Sequence, residues 1–208
     1  MMLLAIDTSS ALATAALFRD GAFVAEREAG AGKKHAETIL PLIEALLEEN
    51  GARIGQIDLF AVDIGPGSFT GVRIGVSLVN ALAFANGKRV VPVDSLHALV
   101  RSAEETKQPV CAMIDARNGN AYAALYQQGR TLIEPCAVEI EPFLAKLPRE
   151  AVLIGDVRTV NAIVPRARFV GEAALLTQDA ARDEVEPLYL RPSQAERTKA
   201  ASEQEGSR

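Results

Sequence analysis

The feature that most constrains the fold of this 208-residue chain is an order of strands and helices that occurs twice. In the first copy, alternating and continuous apolar runs predict three strands, a helix, a strand and a helix. These elements lie at residues 3–6, 11–18, 22–28, 35–50, 57–64 and 69–85. A shorter copy of the same order begins at residue 110, after a strand at 90–93 and a helix that begins at Ser95. The repeat predicts an α/β fold of two related lobes, the second of them reduced.

The repeat also sets the expected domain boundaries. Residues 1–106 should form the N-terminal lobe and residues 107–192 the reduced C-terminal lobe. From residue 193 to residue 208 no large apolar side chain occurs, and charges of both signs alternate with Ala, Ser and Gln. That composition is typical of a disordered tail.

Composition narrows the class of protein. A hydrophobic content of 49% with 24% charged residues fits a globular core. A net charge of −5 and only 5% aromatic residues argue against nucleic-acid binding by this chain alone. No apolar run approaches the roughly 18 to 20 residues of a membrane span, and the apolar start at residues 1–6 is too short for a signal peptide. Cys111 and Cys136 suit buried thiols, so we expect a cytoplasmic protein without a membrane partner.

The most distinctive motif is DIGPGSFTGVRIG, from Asp63 to Gly75. A glycine-rich turn that begins a helix can bind phosphate, because backbone N–H groups converge there. It can equally be a plain strand-to-helix turn. The motif lacks the terminal lysine of a P-loop, and Ser68 is well placed as a helix cap. We therefore interpret it chiefly as the turn that begins the helix at 69–85.

That helix is unusual because it is apolar on most sides, apart from Arg73, Ser77 and Asn80. Such a helix is either central to a core or half exposed until a partner covers it. Gly71 and Gly75 lie four residues apart, a spacing that lets another helix approach closely. The helix at 35–50 has an amphipathic stripe, with Pro41 expected to displace or kink its first turn.

Four segments together resemble one known family: AIDTSS at 5–10, GPGSFTGVRIG at 65–75, VDSLHAL at 93–99 and IDARNGNAYAALY at 114–126. They are similar to the TsaB (YeaZ) family, which has the actin, sugar-kinase and Hsp70 fold of the ribonuclease H-like class. The resemblance implies a non-catalytic paralogue of TsaD, the subunit that transfers a threonylcarbamoyl group to adenosine 37 of tRNA. It also implies pairing with a TsaD-like subunit and with the ATPase TsaE. Older descriptions call the wider family metal-dependent glycoproteases.

A catalytic metal site is not expected. The resemblance implies that TsaD-like relatives bind metal through a His-x-x-x-His pair on one helical face. The matching positions here are Ser95 and Leu99, which are not useful ligands. The two histidines, His35 and His97, are far apart in sequence. We therefore predict no metal site.

The resemblance also locates a vestigial nucleotide site. In that superfamily the phosphates contact the first hairpin, here Asp7, Thr8 and Ser9, and we add the glycine-loop residues Gly65, Gly67 and Ser68. Side chains at Thr8 and Ser9 narrow a turn that usually contains glycine. Asp156, directly after Gly155, would repel phosphate. We expect no cofactor bound strongly by this chain, with ATP or ADP at the interface of the complex as the secondary expectation.

With a vestigial site, exposed apolar surface becomes the main candidate for function. The resemblance implies that the two helices join a TsaD-like subunit as a pseudo-symmetric bundle, and without it the chain should form a homodimer. The predicted partner-facing residues are Ile39, Ile43, Leu46, Gly71, Val72, Gly75, Val76 and Val79. The alternative, that some of these residues face the chain's own sheet, stays open at this point.

Three functions therefore compete. A non-catalytic partner subunit explains the missing ligands, the reduced lobe and the apolar helix. A small-molecule kinase of the same fold needs a catalytic aspartate and a full second lobe. A metal-dependent glycoprotease-like enzyme needs a metal pair or an activated nucleophile. We favour the partner subunit, with no catalytic residues.

Overall fold

Two mixed β-sheets form the framework of the chain. The computed structural model describes residues 1–30, 34–103, 106–158 and 162–191. The first sheet has the strand order β3-β2-β1-β4-β5, from β1 (Met2–Asp7), β2 (Ala13–Arg19), β3 (Ala22–Ala29), β4 (Leu59–Asp63) and β5 (Arg89–Val93). The second has the order β8-β7-β6-β9, from β6 (Val110–Asp115), β7 (Asn120–Gln127), β8 (Arg130–Glu139) and β9 (Val152–Gly155). The predicted tail lies outside the described residues.

The two sheets share one plan. In each, three consecutive strands form an antiparallel meander, and a later strand pairs in parallel with the first strand of that meander. Asp-Gly between two alternating apolar runs predicts a hairpin, and Asp20-Gly21 forms that hairpin between β2 and β3, with both residues at positive φ. The predicted α/β architecture with a repeated strand order is therefore confirmed.

Five helices cover the sheets in the part of the chain that the structure describes. They are α1 (His35–Glu49), α2 (Phe69–Asn86), α3 (Ser95–Val100), α4 (Ile140–Leu144) and α5 (Ala167–Leu176). Helices α1 and α2 pack on one face of the first sheet, and α3 and α5 pack between the two sheets. Helix α4 covers the outer face of the second sheet through Phe143. This layering follows from the strands, because residues of alternating orientation are buried on both faces of each sheet.

Three elements differ from the sequence prediction. Pro41 lies inside α1, which begins at His35 without a displaced first turn; the proline is on the exposed side of the helix. The sequence predicts that the helix beginning at Ser95 reaches about residue 106, but α3 ends at Val100 and continues as a 3-10 turn, before two residues that lie outside the described part. The sequence predicts a helix after Gly155, but α5 begins only at Ala167, and it packs against the first sheet.

The segment after α5 crosses back over the first sheet. Arg182 exchanges two backbone hydrogen bonds with Val90 of edge strand β5, at 2.7 and 2.8 Å. Asn80 of α2 donates to the carbonyl of Val185 and accepts from its N–H, at 2.9 and 3.1 Å. Leu188 then donates to Ile64 O at 2.7 Å, next to the glycine loop. We call residues 182–189 the C-terminal strap, and it fixes α2 to the sheet edge.

The strap generates a stability prediction. Asn80→Ala removes both side-chain bonds to Val185 and should lower the free energy of unfolding by about 1 to 2 kcal/mol. Ser77→Ala, on the exposed side of the same helix, should change it by less than about 0.5 kcal/mol. Urea unfolding of both variants measures the difference. Equal stability of the two variants would contradict a fixing role for the strap.

Candidate functional site

The predicted nucleotide site lies where β1 and β4 end side by side. Asp7 and Asp63, the last residues of these parallel strands, are both completely buried. Ser9 bridges them, because its backbone N–H donates to Asp7 Oδ1 at 2.7 Å and its hydroxyl to Asp63 Oδ2 at 3.1 Å. Ser95, at the start of α3, donates its hydroxyl to Asp63 Oδ1 at 2.5 Å. The strand ends therefore carry an internal polar network.

The glycine loop packs directly against the turn between β1 and β2. Ser68 donates its backbone N–H to Ser9 O at 2.7 Å, and Thr8 donates its hydroxyl to Gly71 O at 2.7 Å. A methyl group added at Gly67 would collide with Ser9 O, and one at Gly71 would collide with Thr8 O. These glycines therefore permit close approach of the chain's own turn.

The start of α2 is capped internally, as the sequence predicted. Ser68 is the N-cap, and its hydroxyl accepts the backbone N–H of Gly71 at 3.2 Å. Gly65 adopts φ +98°, a conformation that favours glycine, and its N–H donates to Asp63 Oδ1 at 2.7 Å. The N–H groups that a phosphate loop would offer are thus partly engaged by the protein itself.

A cleft of about 560 Å³ opens between the two sheets beside this network. Ser9, Gly67 and Ser68 line it, whereas the other three predicted site residues, Asp7, Thr8 and Gly65, lie behind its wall. The opposite wall carries two acids, Asp115 and Asp156, together with Arg117, and Arg191 also lines the cleft. Burial, and to a smaller extent the charge of Asp115, raises the pKa of Asp156. The cleft therefore presents both charge signs rather than a cationic phosphate cradle.

Known proteins resemble the chain over most of its length. The family model for TsaD, tRNA N6-adenosine threonylcarbamoyltransferase, matches residues 28–196. The chain belongs to the TsaD family. Within that family its similarity is to the TsaB (YeaZ) group, as the individual relatives show.

The tRNA threonylcarbamoyladenosine biosynthesis protein TsaB of Haemophilus influenzae is 39% identical over 124 residues, 59% of this chain and 52% of the relative. TsaB of Escherichia coli is 36% identical over 130 residues, 62% of this chain and 56% of the relative. The matched part thus spans about half the length of these curated relatives. The solved structure of YeaZ from Pseudomonas aeruginosa superposes with a TM-score of 0.76 at 29% identity, covering 91% of this chain and 99% of that one. These matches identify a TsaB-type member with the α/β, actin-like fold of the family.

Ser95 and Leu99, the positions that the resemblance matches to metal ligands, make other contacts. Ser95 is completely buried and bonded to Asp63, and Leu99 packs in the core between α3 and the second sheet. His97 stacks on Tyr126 with 5.8 Å between the ring centroids. Among the described residues, no group of three or more His, Cys, Asp or Glu side chains could hold a metal ion.

The predicted partner-facing residues require a correction. All eight are buried: the side chains of α1 and α2 among them are at most 3% exposed and belong to the core under the first sheet, and both glycines face Thr8. The prediction selected the inward faces of both helices. In α1 it took the amphipathic stripe, which packs on the chain's own sheet, and in α2 the inner and outer faces cannot be distinguished on a helix that is apolar on most sides. Gly71 and Gly75 accordingly serve contact with a turn, not with another helix. A charge at Val76 would therefore disrupt folding and could not test partner binding.

The outward face of α2 was missed by the sequence prediction. It carries Arg73, Ser77, Ala81, Phe84 and Ala85, and Phe84 is 87% exposed. The Gly71 and Gly75 pair is the sequence signal that could have identified this face. If the side of the helix that carries the two glycines is buried, the opposite side must face outward.

A small aromatic cluster extends this outward face at its N-terminal end. Phe69 stacks on Tyr189 with 4.6 Å between the centroids. Arg73 lies 3.9 Å above the Phe69 ring and donates from Nε to Tyr189 Oη at 2.8 Å. The end of the C-terminal strap is thus tied to the exposed side of α2.

Helix α2 also corrects the statement that no segment approaches a membrane span. By length and composition alone, this 18-residue helix is long and apolar enough to cross a membrane, and one-third of its residues are buried inside the protein. One such helix is weak evidence of a span, because core helices pass the same test. Here the inner side packs on the sheet, and the outer side is left uncovered.

The glycine contacts generate a second prediction. Gly71→Ala places a methyl group against the Thr8 carbonyl, and relieving that collision should cost about 2 kcal/mol or more of unfolding free energy. Gly55→Ala is the matched control, since its methyl group would meet no atom closer than 4.0 Å. Thermal and urea unfolding of the two variants test this. A Gly71→Ala variant as stable as the control would show that the turn is not tightly packed on α2.

Proposed function

We propose that the chain is a non-catalytic partner subunit that binds a TsaD-like catalytic subunit and supports threonylcarbamoylation of adenosine 37 in tRNA. The observation that carries this proposal is the uncovered apolar side of α2. In the isolated chain, two-thirds of the residues of this 18-residue helix of high mean hydropathy are exposed or only partly buried. Exposed apolar surface of this kind marks protein interaction sites.

The outward face of α2 has the composition of a helix-packing surface. Ser77 and Ala81 are small and lie near its middle, so a partner helix can approach closely. Phe84 is almost fully exposed, and covering a phenylalanine side chain contributes about 1.5 to 3 kcal/mol. Arg73, held over Phe69, adds a residue type that is frequent among interface hot spots.

Helix α1 enlarges the same surface. It packs beside α2 on the same face of the first sheet, and Leu40 is 43% exposed with Ala36 and Pro41 also on the outside. Because the outer sides of these two neighbouring helices are uncovered, a second pair of helices from a paralogue of the same fold can pack against them. The resulting four-helix contact is the pseudo-symmetric bundle that the family resemblance implies. In the absence of that subunit, the same face would support a homodimer.

The buried position of Asp7 supports a non-catalytic role. A catalytic base must reach the reacting group within about 3 Å or through one water. Asp7 lies behind Ser9 and does not line the cleft, so a substrate in the cleft would meet the serine instead. This argues against the kinase-like alternative. The glycoprotease-like alternative needs a nucleophile that is activated by a base. A Pseudomonas aeruginosa relative of 27% identity is described as similar to a peptidase, but here the serines of the cleft have no histidine beside them among the residues that line it.

The remaining partners follow from the same proposal. A TsaE-like ATPase completes the assembly, and ATP or ADP binds where subunits meet rather than strongly to this chain. The net charge of −5 leaves direct tRNA binding to other subunits. A tRNA-modifying assembly of this kind works in the cytoplasm.

A variant pair tests the interface. Ala81→Arg introduces a charged, long side chain in the middle of the outward face of α2 and should weaken binding to a TsaD-like subunit at least about thirtyfold, a hot-spot effect. Leu132→Arg, on exposed edge strand β8 of the other sheet, is the control and should leave binding unchanged. Titration calorimetry and gel filtration of the mixtures measure the outcome. Unchanged affinity of a folded Ala81→Arg chain would overturn the assigned surface.

An activity comparison tests the non-catalytic role. The isolated chain should hydrolyse neither ATP nor peptides, whereas addition of the chain to TsaD-like and TsaE-like subunits should restore tRNA threonylcarbamoylation. Turnover by the isolated chain that disappears in an Asp7→Asn variant would instead support an enzyme.

A further inference from the structure

The function proposed above leaves one group of side chains unused. Asp7, Ser9, Asp63 and Ser95 are each at most 3% exposed and meet where β1 and β4 end and α3 begins. Buried carboxyl groups are costly unless they are paired or hydrogen-bonded. The stability of this buried network therefore depends on whether each carboxyl oxygen has a hydrogen-bond donor.

The hydroxyl and N–H donors are all directed to three of the four carboxyl oxygens. Asp63 Oδ1 accepts from the Ser95 hydroxyl and from Gly65 N–H, and Asp63 Oδ2 accepts from the Ser9 hydroxyl. Asp7 Oδ1 accepts from Ser9 N–H. Asp7 Oδ2 is buried, and no donor among the described residues reaches it. The side chains of Ser9 and Asp63 both lie within hydrogen-bonding range of the Asp7 carboxyl, and the Ser9 hydroxyl already donates to Asp63 Oδ2.

Two ionised carboxylates in this position would repel each other without a compensating ion pair. The charged group that favours ionisation of Asp7 is His35 of α1, whose ring hydrogen-bonds to Ser10 O at 2.9 Å rather than to either carboxyl. None of the ion pairs seen in the described residues includes Asp7 or Asp63. A proton on the vacant oxygen removes one charge and supplies the missing donor at once.

We propose that Asp7 and Asp63 share one proton, bound to Asp7 Oδ2 and donated to Asp63, and that this hydrogen bond holds the β1–β2 turn against the glycine loop. Burial is the main cause that raises the pKa of Asp7 to about 6. Burial and the neighbouring Asp7 charge raise the pKa of Asp63 well above its usual range. The two groups titrate as a pair.

The shared proton has a consequence for α2. The turn that Asp7 holds is the one that receives Ser68 N–H and contacts Gly71, so loss of the proton should loosen the first turn of α2. Since α2 is the surface assigned to the TsaD-like subunit, binding should weaken as the pair ionises. The expected change in binding rests on the proposed function, whereas the proposal of a shared proton does not.

The direction of the pH dependence follows from linkage. A carboxyl whose pKa is raised by folding binds more protons in the native state, so its contribution is complete below the unfolded pKa of 3.8 and is lost as pH rises through about 6. For Asp7 alone this rise corresponds to about a hundredfold in the folding equilibrium constant. Asp7→Asn is the matched test, because the amide retains an acceptor for Ser9 N–H and supplies a permanent donor to Asp63.

The experiment measures urea midpoints of the full chain from about pH 4 to about pH 8. We expect wild type and Asp7→Asn to be similar at the acid end, with the variant increasingly more stable as pH rises. Asp183→Asn, at a carboxyl that is 99% exposed, should follow wild type throughout. His35→Gln should retain the wild-type trend, which separates the pair from the imidazole. Parallel pH curves for wild type and Asp7→Asn would overturn the proposal.

A second readout covers the case in which Asp7→Asn does not fold. Infrared spectroscopy of the wild-type chain at about pH 5, above the ordinary carboxyl pKa and below the raised pKa of Asp7, should show the band of a protonated carboxylic acid, and unfolding in urea should abolish it. Absence of that band in the folded chain would overturn the shared proton. Calorimetry with the TsaD-like subunit at two pH values then tests the coupling. If no binding occurs at any pH, the function proposed above fails. The stability and infrared results still determine whether Asp7 and Asp63 share a proton.

Discussion

The contact between the β1–β2 turn and the first two turns of α2 determines how the rest of the structure is arranged. Thr8 and Ser9 occupy the space that Gly67, Gly71 and Gly75 leave open, so the backbone of the turn lies against the backbone of the helix. Any side chain at these glycines would separate the two elements. Because this side of α2 must face the sheet, its opposite side, with Ala81 and Phe84, necessarily faces outward.

The same contact explains why a glycine motif that resembles a phosphate loop need not bind phosphate. A phosphate loop works because several N–H groups point into an open space. Here Ser68 N–H is used by Ser9 O, and Gly65 N–H by Asp63. The glycines serve close approach of two backbone segments, which is a packing requirement, and the cleft beside them carries acids opposite its serines. The surface that remains chemically distinctive is the apolar outer side of the helix.

Much of the fold could be predicted from the sequence because its signals are local. The Asp20-Gly21 hairpin, the Ser68 cap and the strand runs depend on neighbouring residues, and all are present. The facing direction of α2 was predicted wrongly, since Val72, Val76 and Val79 look equally suitable for a core or for a partner. The docking of α5 on the first sheet and the course of the strap depend on contacts between residues distant in sequence. No local pattern encodes those contacts.

The acidic network of the candidate site also depends on contacts between residues that are distant in sequence. Asp7 could be recognised as a strand-end carboxyl, but its environment depends on Asp63, which the parallel pairing of β1 with β4 brings beside it. Once both strands end in aspartate, burial leaves two choices: a cation between the carboxyls or a proton. Ser9 and Ser95 already direct their hydroxyl hydrogens at Asp63, and a hydroxyl that donates to one carboxylate oxygen is poorly disposed to receive a cation there. The remaining unpaired carboxyl oxygen is Asp7 Oδ2, and the proposed proton on it supplies the missing donor. In the proposed arrangement, the shared proton keeps negative charge low in the buried interior of this network.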